Sequence, residues 1–337
     1  MTAPLPVGVV GAGNMGADHA RTLARWVSGA YVVAIADIDG ARAAGVGREL
    51  GARATEDALA LVADPDVEAV IVASHDATHP ALVRAAVDAG KPVLCEKPLA
   101  PTLAEAADLL EAIGPDGAAL VRVGFMRRFD PGYAALRATV ADGSLGAPLL
   151  VHCVSRGVTA GPGTTSELSV TGSAVHEFDA VPWLLRSPVT EVSWSAPRCS
   201  RRALGFQDPQ LLLLRTAGGT LATVEVFLTA GYGHDIRCEV VGEAGAMSLA
   251  EPVRVVRDTP GARSAAYAPD WRPRFAEAYR LELQAWVDGI TFGIPSELAT
   301  GRDGVIAAAV ADAAIRSMRG GGQPMPVEAP SPAGARP

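Results

Sequence analysis

The sequence predicts two domains: an amino-terminal α/β module built on a parallel, doubly wound sheet, followed by an α+β module whose open sheet is mostly antiparallel. Three observations carry this reading. At 337 residues the chain exceeds the roughly 250–300 residues that one hydrophobic core supports. Short apolar runs alternate with helical patterns over the first third, and from Leu149 onward long strand-like stretches follow one another. The expected division is 1–125 for the first domain and 126–320 for the second, whose last helix packs back on the first. Residues 321–337, rich in Gly, Pro, Ser and Ala without an aromatic, are expected to form a disordered tail.

The first element is the apolar run Pro6 to Val10, followed by Gly11-Ala12-Gly13-Asn14-Met15-Gly16 and then by a helical pattern with Met15, His19, Leu23 and Val27 on one face. Strand, glycine turn and helix in that order are the opening of a dinucleotide-binding Rossmann domain. Gly11 permits the tight turn, Gly13 lets the backbone approach a pyrophosphate, and Gly16 allows the helix to pack closely on the strand. Amide hydrogens and the partial positive charge at the helix start then favour the phosphates. The next apolar run, Tyr31 to Ala36, ends in Asp37, about 20 residues past the last glycine, where an acid meets the ribose hydroxyls. A carboxylate there repels a 2′-phosphate, so NAD is the expected cofactor, with Arg42 further along to soften the preference.

The alternation continues with a helical stretch near Thr55 to Val62, the run Val67 to Ala73, a helix from Pro80 to Ala89 and the strand Pro92 to Cys95. Ligands of such sheets lie beyond the carboxyl ends of the strands, which directs Ser74 to Thr78 and Glu96 to Pro98 toward the cofactor. The expected cofactor-binding residues are therefore Gly11, Gly13, Asn14, Met15, Gly16, Asp37, Ser74, His75, Thr78, His79, Glu96 and Lys97. His75 and His79 are read as wall or helix-cap residues rather than catalytic ones.

In the second domain, strands are expected over Leu149 to Ser155, Val189 to Ser195, Gln210 to Thr216, Thr220 to Leu228 and Ile236 to Val241. Gly218-Gly219 turns a hairpin between the third and fourth of these. Phe275 to Val287 and Ala307 to Met318 have helical spacing.

Composition excludes several functions. The net charge of −8 and the absence of any basic run argue against nucleic acid as a partner. No apolar stretch is long enough to cross a bilayer, and Met1 to Pro6 lacks the basic and apolar regions of a signal peptide, so a cytoplasmic protein is expected. The four cysteines are widely spaced without a CxxC, which suggests neither a metal site nor a disulfide framework. Of 29 basic residues only Lys91 and Lys97 are lysines. A guanidinium stays charged at working pH whereas an ammonium can lose its proton, so a retained lysine beside a cofactor crevice is a candidate for acid–base chemistry. Lys97 meets that description; Lys91, beside Pro92 in a turn, does not.

The glycine fingerprint, Glu96-Lys97-Pro98 after Ala89-Gly90-Lys91-Pro92-Val93-Leu94-Cys95, Gly124 to Pro131, Val175-His176-Glu177-Phe178-Asp179 and Phe275 to Val287 together resemble the Gfo/Idh/MocA family of sugar and cyclitol oxidoreductases, over nearly the whole chain. The look is that of its bacterial inositol dehydrogenases. The resemblance implies an enzyme that oxidises a secondary ring hydroxyl with NAD, or runs the reverse. Lys97 would contact the reacting hydroxyl and His176 would serve as acid or base. It also implies that Arg127 contacts substrate and that the open sheet pairs subunits into a homodimer or homotetramer. Phe275 to Val287, with Tyr279, Leu283 and Trp286, is expected to be mostly core packing, with Tyr279 as an inward polar group that also reaches the substrate pocket.

The sequence departs from that pattern at three places. Position 172, where inositol dehydrogenases of this type carry an aspartate four residues before the histidine, is Gly172. His234 stands where relatives tend to have tyrosine, and Arg156-Gly157 replaces an Arg-Asn-Pro-like sequence. Arg156, Gly172 and His234 thus join the expected substrate-binding residues, and they argue for a ring bulkier than, or substituted differently from, plain myo-inositol, such as a glycoside or aminocyclitol. Two other readings compete: a non-redox enzyme that cycles a tightly bound NAD internally, and an inactive NAD-binding sensor.

Overall fold

The computed structural model describes residues 3–250 and 255–328. They fall into two compact units, one of residues 3–129 and 277–308, the other of residues 130–250, 255–276 and 309–328.

The first unit opens with β1 (Leu5–Val10), α1 (Asn14–Trp26), β2 (Ala30–Ala36), α2 (Gly40–Leu50), β3 (Arg53–Thr55), α3 (Ala58–Ala63) and β4 (Ala69–Val72). It continues with α4 (His79–Asp88), β5 (Val93–Glu96), α5 (Leu103–Leu120) and β6 (Val121–Gly124). Side-chain caps start several of these helices: Asp39 accepts from the Arg42 N–H at α2, and Thr102 and Glu105 cap α5 reciprocally. The six strands pair in parallel in the order β3-β2-β1-β4-β5-β6, and Ala299–Thr300 adds an antiparallel edge to β6. All residues of β1, β4 and β5 are buried, so β1, β4 and the first three residues of β5 read as unbroken apolar runs instead of alternating ones. The order reverses between β1 and β4, and the turns after both strands flank that crevice.

The second unit contains α6 (Pro131–Asp142), β7 (Pro148–Arg156), α7 (Ser166–Ser169), α8 (Val175–Leu185), β8 (Val189–Ser195), β9 (Gln210–Thr216), β10 (Leu221–Phe227), β11 (Asp235–Gly242) and β12 (Ala246–Ser248). A hairpin of β13 (Val256–Thr259) and β14 (Ala262–Ala265) precedes α9 (Trp271–Phe292). After β15 (Ala299–Thr300), already met at the edge of β6, come α10 (Gly301–Arg319) and β16 (Met325–Pro326). The sheet runs β12-β11-β7-β10-β9-β8-β16, antiparallel throughout except between β7 and β10. Strand β9 alternates buried and exposed residues, as a sheet with one solvated face requires. The hairpin expected at Gly218-Gly219 joins β9 to β10, with Gly219 at a φ of 86°.

Two boundaries differ from the sequence-based expectation. The first unit extends to Phe129 and takes back residues 277–308, because Leu283, Trp286 and Val287 of α9 pack into the core formed by Leu5, Leu23 and Ile35. Burial of side chains this large stabilises by about 1.5–3 kcal/mol each. Part of the expected tail is also ordered: Met325–Pro326 pairs with β8 and the Val327 N–H donates to Thr190 O at 2.9 Å, whereas residues 329–337 lie outside the described residues. Thr55, expected to start a helix, instead ends β3. No helix among the described residues is long and apolar enough to cross a membrane.

Candidate active site

The glycine turn after β1 is shaped by contacts that a side chain would destroy. Gly11 has a φ of 95°, and a Cβ there would lie 2.5 Å from Ala73 O in the turn after β4. A Cβ on Gly16 would lie 1.8 Å from Gly11 O. Gly13 differs, because an added Cβ meets nothing within 4 Å. Open space therefore stands over the start of α1, whose first turn carries neither an acidic residue nor a side-chain cap. These residues fit a dinucleotide: the backbone is bare where a pyrophosphate approaches, and the leading amides face it.

Asp37 follows β2 and is 9% exposed. Its carboxylate accepts the Ala12 N–H at 2.7 Å and the Asp39 N–H at 2.9 Å, which fixes it beside the glycine turn. The turn after β4 is tied to itself by a 2.7 Å bond between the Ser74 and Thr78 hydroxyls, and His75 projects into solvent with its ring at Asp76. His79 is 1% exposed, and its ring bridges Pro98 O at 2.8 Å and Ser74 O at 3.1 Å. Expected as a cofactor-side residue, it is buried, and fastens the loop after β4 to the loop after β5.

At the end of β5, Glu96 is 8% exposed and Lys97 half-buried. The Lys97 N–H donates to Glu96 Oε2 at 3.1 Å, and His19 of α1 donates from Nε2 to Glu96 Oε1 at 2.7 Å. Burial pushes the Glu96 carboxyl upward, but the bond from His19 and the charge of Lys97 outweigh it and hold the group below its ordinary range. Tyr279 of α9 stands edge-on to His19 with ring centroids 5.5 Å apart. Burial, with the anionic Glu96 next in order, raises its hydroxyl far above the usual tyrosine value. Arg127, 2% exposed, lies within the field of Tyr279 and belongs to the same buried cluster. Tyr279 and Arg127 are both buried within the first unit.

In the second unit, Gly172 sits in a single π-helical turn, Val170–Ala174, that leads into α8 and His176. Such turns widen a helix locally. His176 is half-buried between the core-facing residues Val175 and Glu177. Gly172, Gly157, Ser173, His234 and Trp271 line one cavity of about 350 Å³. An added Cβ at Gly172 meets nothing within 4 Å. Arg156 borders the cavity, but its guanidinium is committed elsewhere: it holds Glu225 of β10 in a two-pronged bond at 2.5 and 2.9 Å and touches the Tyr232 hydroxyl at 3.0 Å. These bonds raise its pKa further.

The structure thus gathers Gly11, Gly13, Gly16, Asp37, Ser74, Thr78, Glu96 and Lys97 at the carboxyl ends of the parallel strands, with Asn14 and Met15 opening α1. It gathers Gly172 and His234 around the second-unit cavity. The sequence reading missed His19, which it placed on an apolar helix face. Its partner is 77 residues away, so no local spacing signals the pair.

Family models match both parts of the chain: residues 5–125 fit the NAD-binding Rossmann fold of the Gfo/Idh/MocA oxidoreductase family, and residues 137–328 fit its carboxy-terminal alpha/beta domain. Inositol 2-dehydrogenase 2 of Paenarthrobacter aurescens is 52% identical over 95% of this chain and 97% of its own length. Inositol 2-dehydrogenase 1 of Saccharopolyspora erythraea is 48% identical over 96% of each. Among solved structures, myo-inositol dehydrogenase from Lactobacillus casei in complex with NAD(H) and myo-inositol superposes with a TM-score of 0.90 at 34% identity, covering 98% of this chain and 99% of that one.

Proposed function

Since the chain belongs to the Gfo/Idh/MocA family and is an NAD-dependent oxidoreductase of CH–OH groups, we propose that its substrate is a cyclitol or closely related polyhydroxylated ring, oxidised at a secondary hydroxyl or reduced at the matching ketone. The observation that carries the proposal is the position of Glu96-Lys97 at the carboxyl end of β5, in the same crevice-facing row as the glycine turn after β1. The names and bound ligands of the inositol dehydrogenases similar to this chain support it.

In this reading Gly11, Gly13, Gly16 and Asp37 hold NAD, which when bound supplies a nicotinamide that takes up or returns hydride. Lys97 moves the hydroxyl proton: its amine accepts it in oxidation, and its ammonium donates it in reduction. His176 is the second proton-handling group. With Gly172 in place of a carboxylate, no anion from that position orients the imidazole, so Lys97 takes the larger share. The room at Gly172 favours a ring with a substituent over plain myo-inositol. The exposed Leu150, Leu211 and Leu213 of the second sheet support subunit pairing on that face, in a homodimer or homotetramer.

The test is absorbance at the NADH band with NAD and a panel of myo-inositol, scyllo-inositol, their glycosides and aminocyclitols. Net NADH from at least one ring is expected, with loss of about three orders of magnitude in kcat for Lys97→Met. Turnover without net NADH, or near-normal turnover of the variant, refutes the mechanism.

A further inference from the structure

Helix α1 begins at the glycine turn, and strand β5 ends at Lys97. One buried side-chain bond joins them, from His19 Nε2 to Glu96 Oε1 at 2.7 Å. The other oxygen of the same carboxylate accepts the Lys97 main-chain N–H at 3.1 Å. An ionised carboxylate has only acceptor sites, so the imidazole is the donor. Glu96 is also confined from the side: it pairs in register with Gly124 of β6, where even a Cβ would come within 3.3 Å of its Cδ. The Tyr279 ring of α9 packs nearly perpendicular to the imidazole.

We infer that His19 is a positioning residue for Lys97, acting through Glu96. Its N–H keeps the buried carboxylate in place, and the carboxylate in turn fixes the main chain at the root of the lysine and sets a negative charge beside its amine. The helix that receives the pyrophosphate is thereby coupled to the strand that presents the proton-transfer group. His19 touches neither substrate nor reacting atoms in this role. Among the described residues, other charged and titratable groups around the cluster include Cys95 of β5, Asp18 of α1, Arg127 after β6, and Tyr279 and Glu282 of α9. Asp18, Glu282 and Arg127 act on Tyr279, whereas the groups that act on Glu96 are His19 and Lys97.

The inference rests on the proposed role of Lys97, but it is tested on that lysine directly and without substrate. Because the chain has two lysines, reductive methylation of the full-length protein with carbon-13 formaldehyde labels Lys91, Lys97 and the terminal amine alone. The signal lost in Lys97→Arg identifies Lys97, and its titration is followed by NMR. In His19→Leu the midpoint is expected to move to lower pH, because the carboxylate, no longer anchored by the imidazole, is free to turn away from the lysine amine. His19→Gln, which can still donate near the Nε2 position, is expected to restore the wild-type midpoint. Glu96→Gln, which removes the anion and keeps the shape, is expected to lower it even with His19 present, and decides the matter if His19→Leu does not fold. Where the wild type turns over a ring substrate, His19→Leu should lose about tenfold or more in kcat with NAD binding little changed, and His19→Gln should recover most of it. An unchanged Lys97 midpoint in both His19→Leu and Glu96→Gln, or an equal shift in His19→Gln and His19→Leu, overturns the inference. A wild-type enzyme inactive on every ring refutes the dehydrogenase reading and leaves the titration decisive for His19.

Discussion

Arg42 reaches back to Asp37: its Nη1 lies 3.4 Å from Oδ1 and 3.5 Å from Oδ2, while the same carboxylate is already held by the amides of Ala12 and Asp39. The acid is thus fixed in place and the half-exposed arginine leans on it. A 2′-phosphate brought to this position would meet the carboxylate first.

The wild-type kcat/KM for NAD is expected to exceed that for NADP by about a hundredfold, since juxtaposed like charges cost several kcal/mol. Asp37→Ala leaves Arg42 as the remaining charge and should close most of that gap. A cofactor ratio unmoved by the substitution, measured by steady-state kinetics with both nucleotides, would remove Asp37 from the choice.

The glycine turn separates folding from binding. Gly16→Ala places a methyl 1.8 Å from Gly11 O, so a drop in Tm on the order of 5 °C or more, or loss of soluble protein, is expected. Gly13→Ala meets no protein atom within 4 Å, so Tm should hold while the Kd for NAD rises about tenfold or more. Thermal melts and NAD titrations of the two variants check this, and similar behaviour of both would contradict the distinction.

Gly172→Asp fills empty space on the cavity wall without a clash at Cβ. It should raise kcat/KM on plain myo-inositol several-fold and lower it on a substituted ring, at little cost in Tm, because a carboxylate one turn from His176 can orient the imidazole. If the ratio of the two substrates does not change, the missing carboxylate does not set preference.

Asp235 at the start of β11 has no exposed side-chain surface and receives bonds from Arg237 at 2.8 and 2.9 Å and from the Tyr232 hydroxyl. Burial raises its pKa, but these donors more than compensate and hold it below the ordinary 3.8. A depressed folded-state pKa means that the carboxylate contributes its stability above pH 3.8 and loses it as pH falls through the folded-state value. Asp235→Asn should therefore lower Tm near neutrality by roughly 5 °C and flatten its fall between about pH 5 and pH 2. Parallel Tm curves for variant and wild type across that range would show that Asp235 is not the group responsible.

Much of the first unit was legible because its determinants are local. The glycine spacing, the acid at Asp37 and the unbroken apolar runs of β1, β4 and β5 all lie within short windows, and burial on both faces is what makes those runs continuous. Strand β3 was illegible because Arg53–Thr55 is short and largely exposed. The apolar face of α9 was visible, but the pattern Leu283, Trp286, Val287 states only that the face is buried, not in which core. Lys97 stood out by residue type. His19 did not reveal its pairing with Glu96, because that partner is distant in sequence, and no local spacing marks Arg127 as buried. The commitment of Arg156 to Glu225 follows from the parallel pairing of β7 with β10, a topology that strand-by-strand reading does not supply.

Strand β16 contributes only two residues to the second sheet, yet it lies along the outer edge of β8, and Pro326 has no amide hydrogen to offer a further strand. A polypeptide shortened to residue 320 would bare the amides of β8 as a template for chain-to-chain pairing. Aggregation during expression should accordingly depend on how far the gene is extended past α10, even where cofactor binding and catalysis do not.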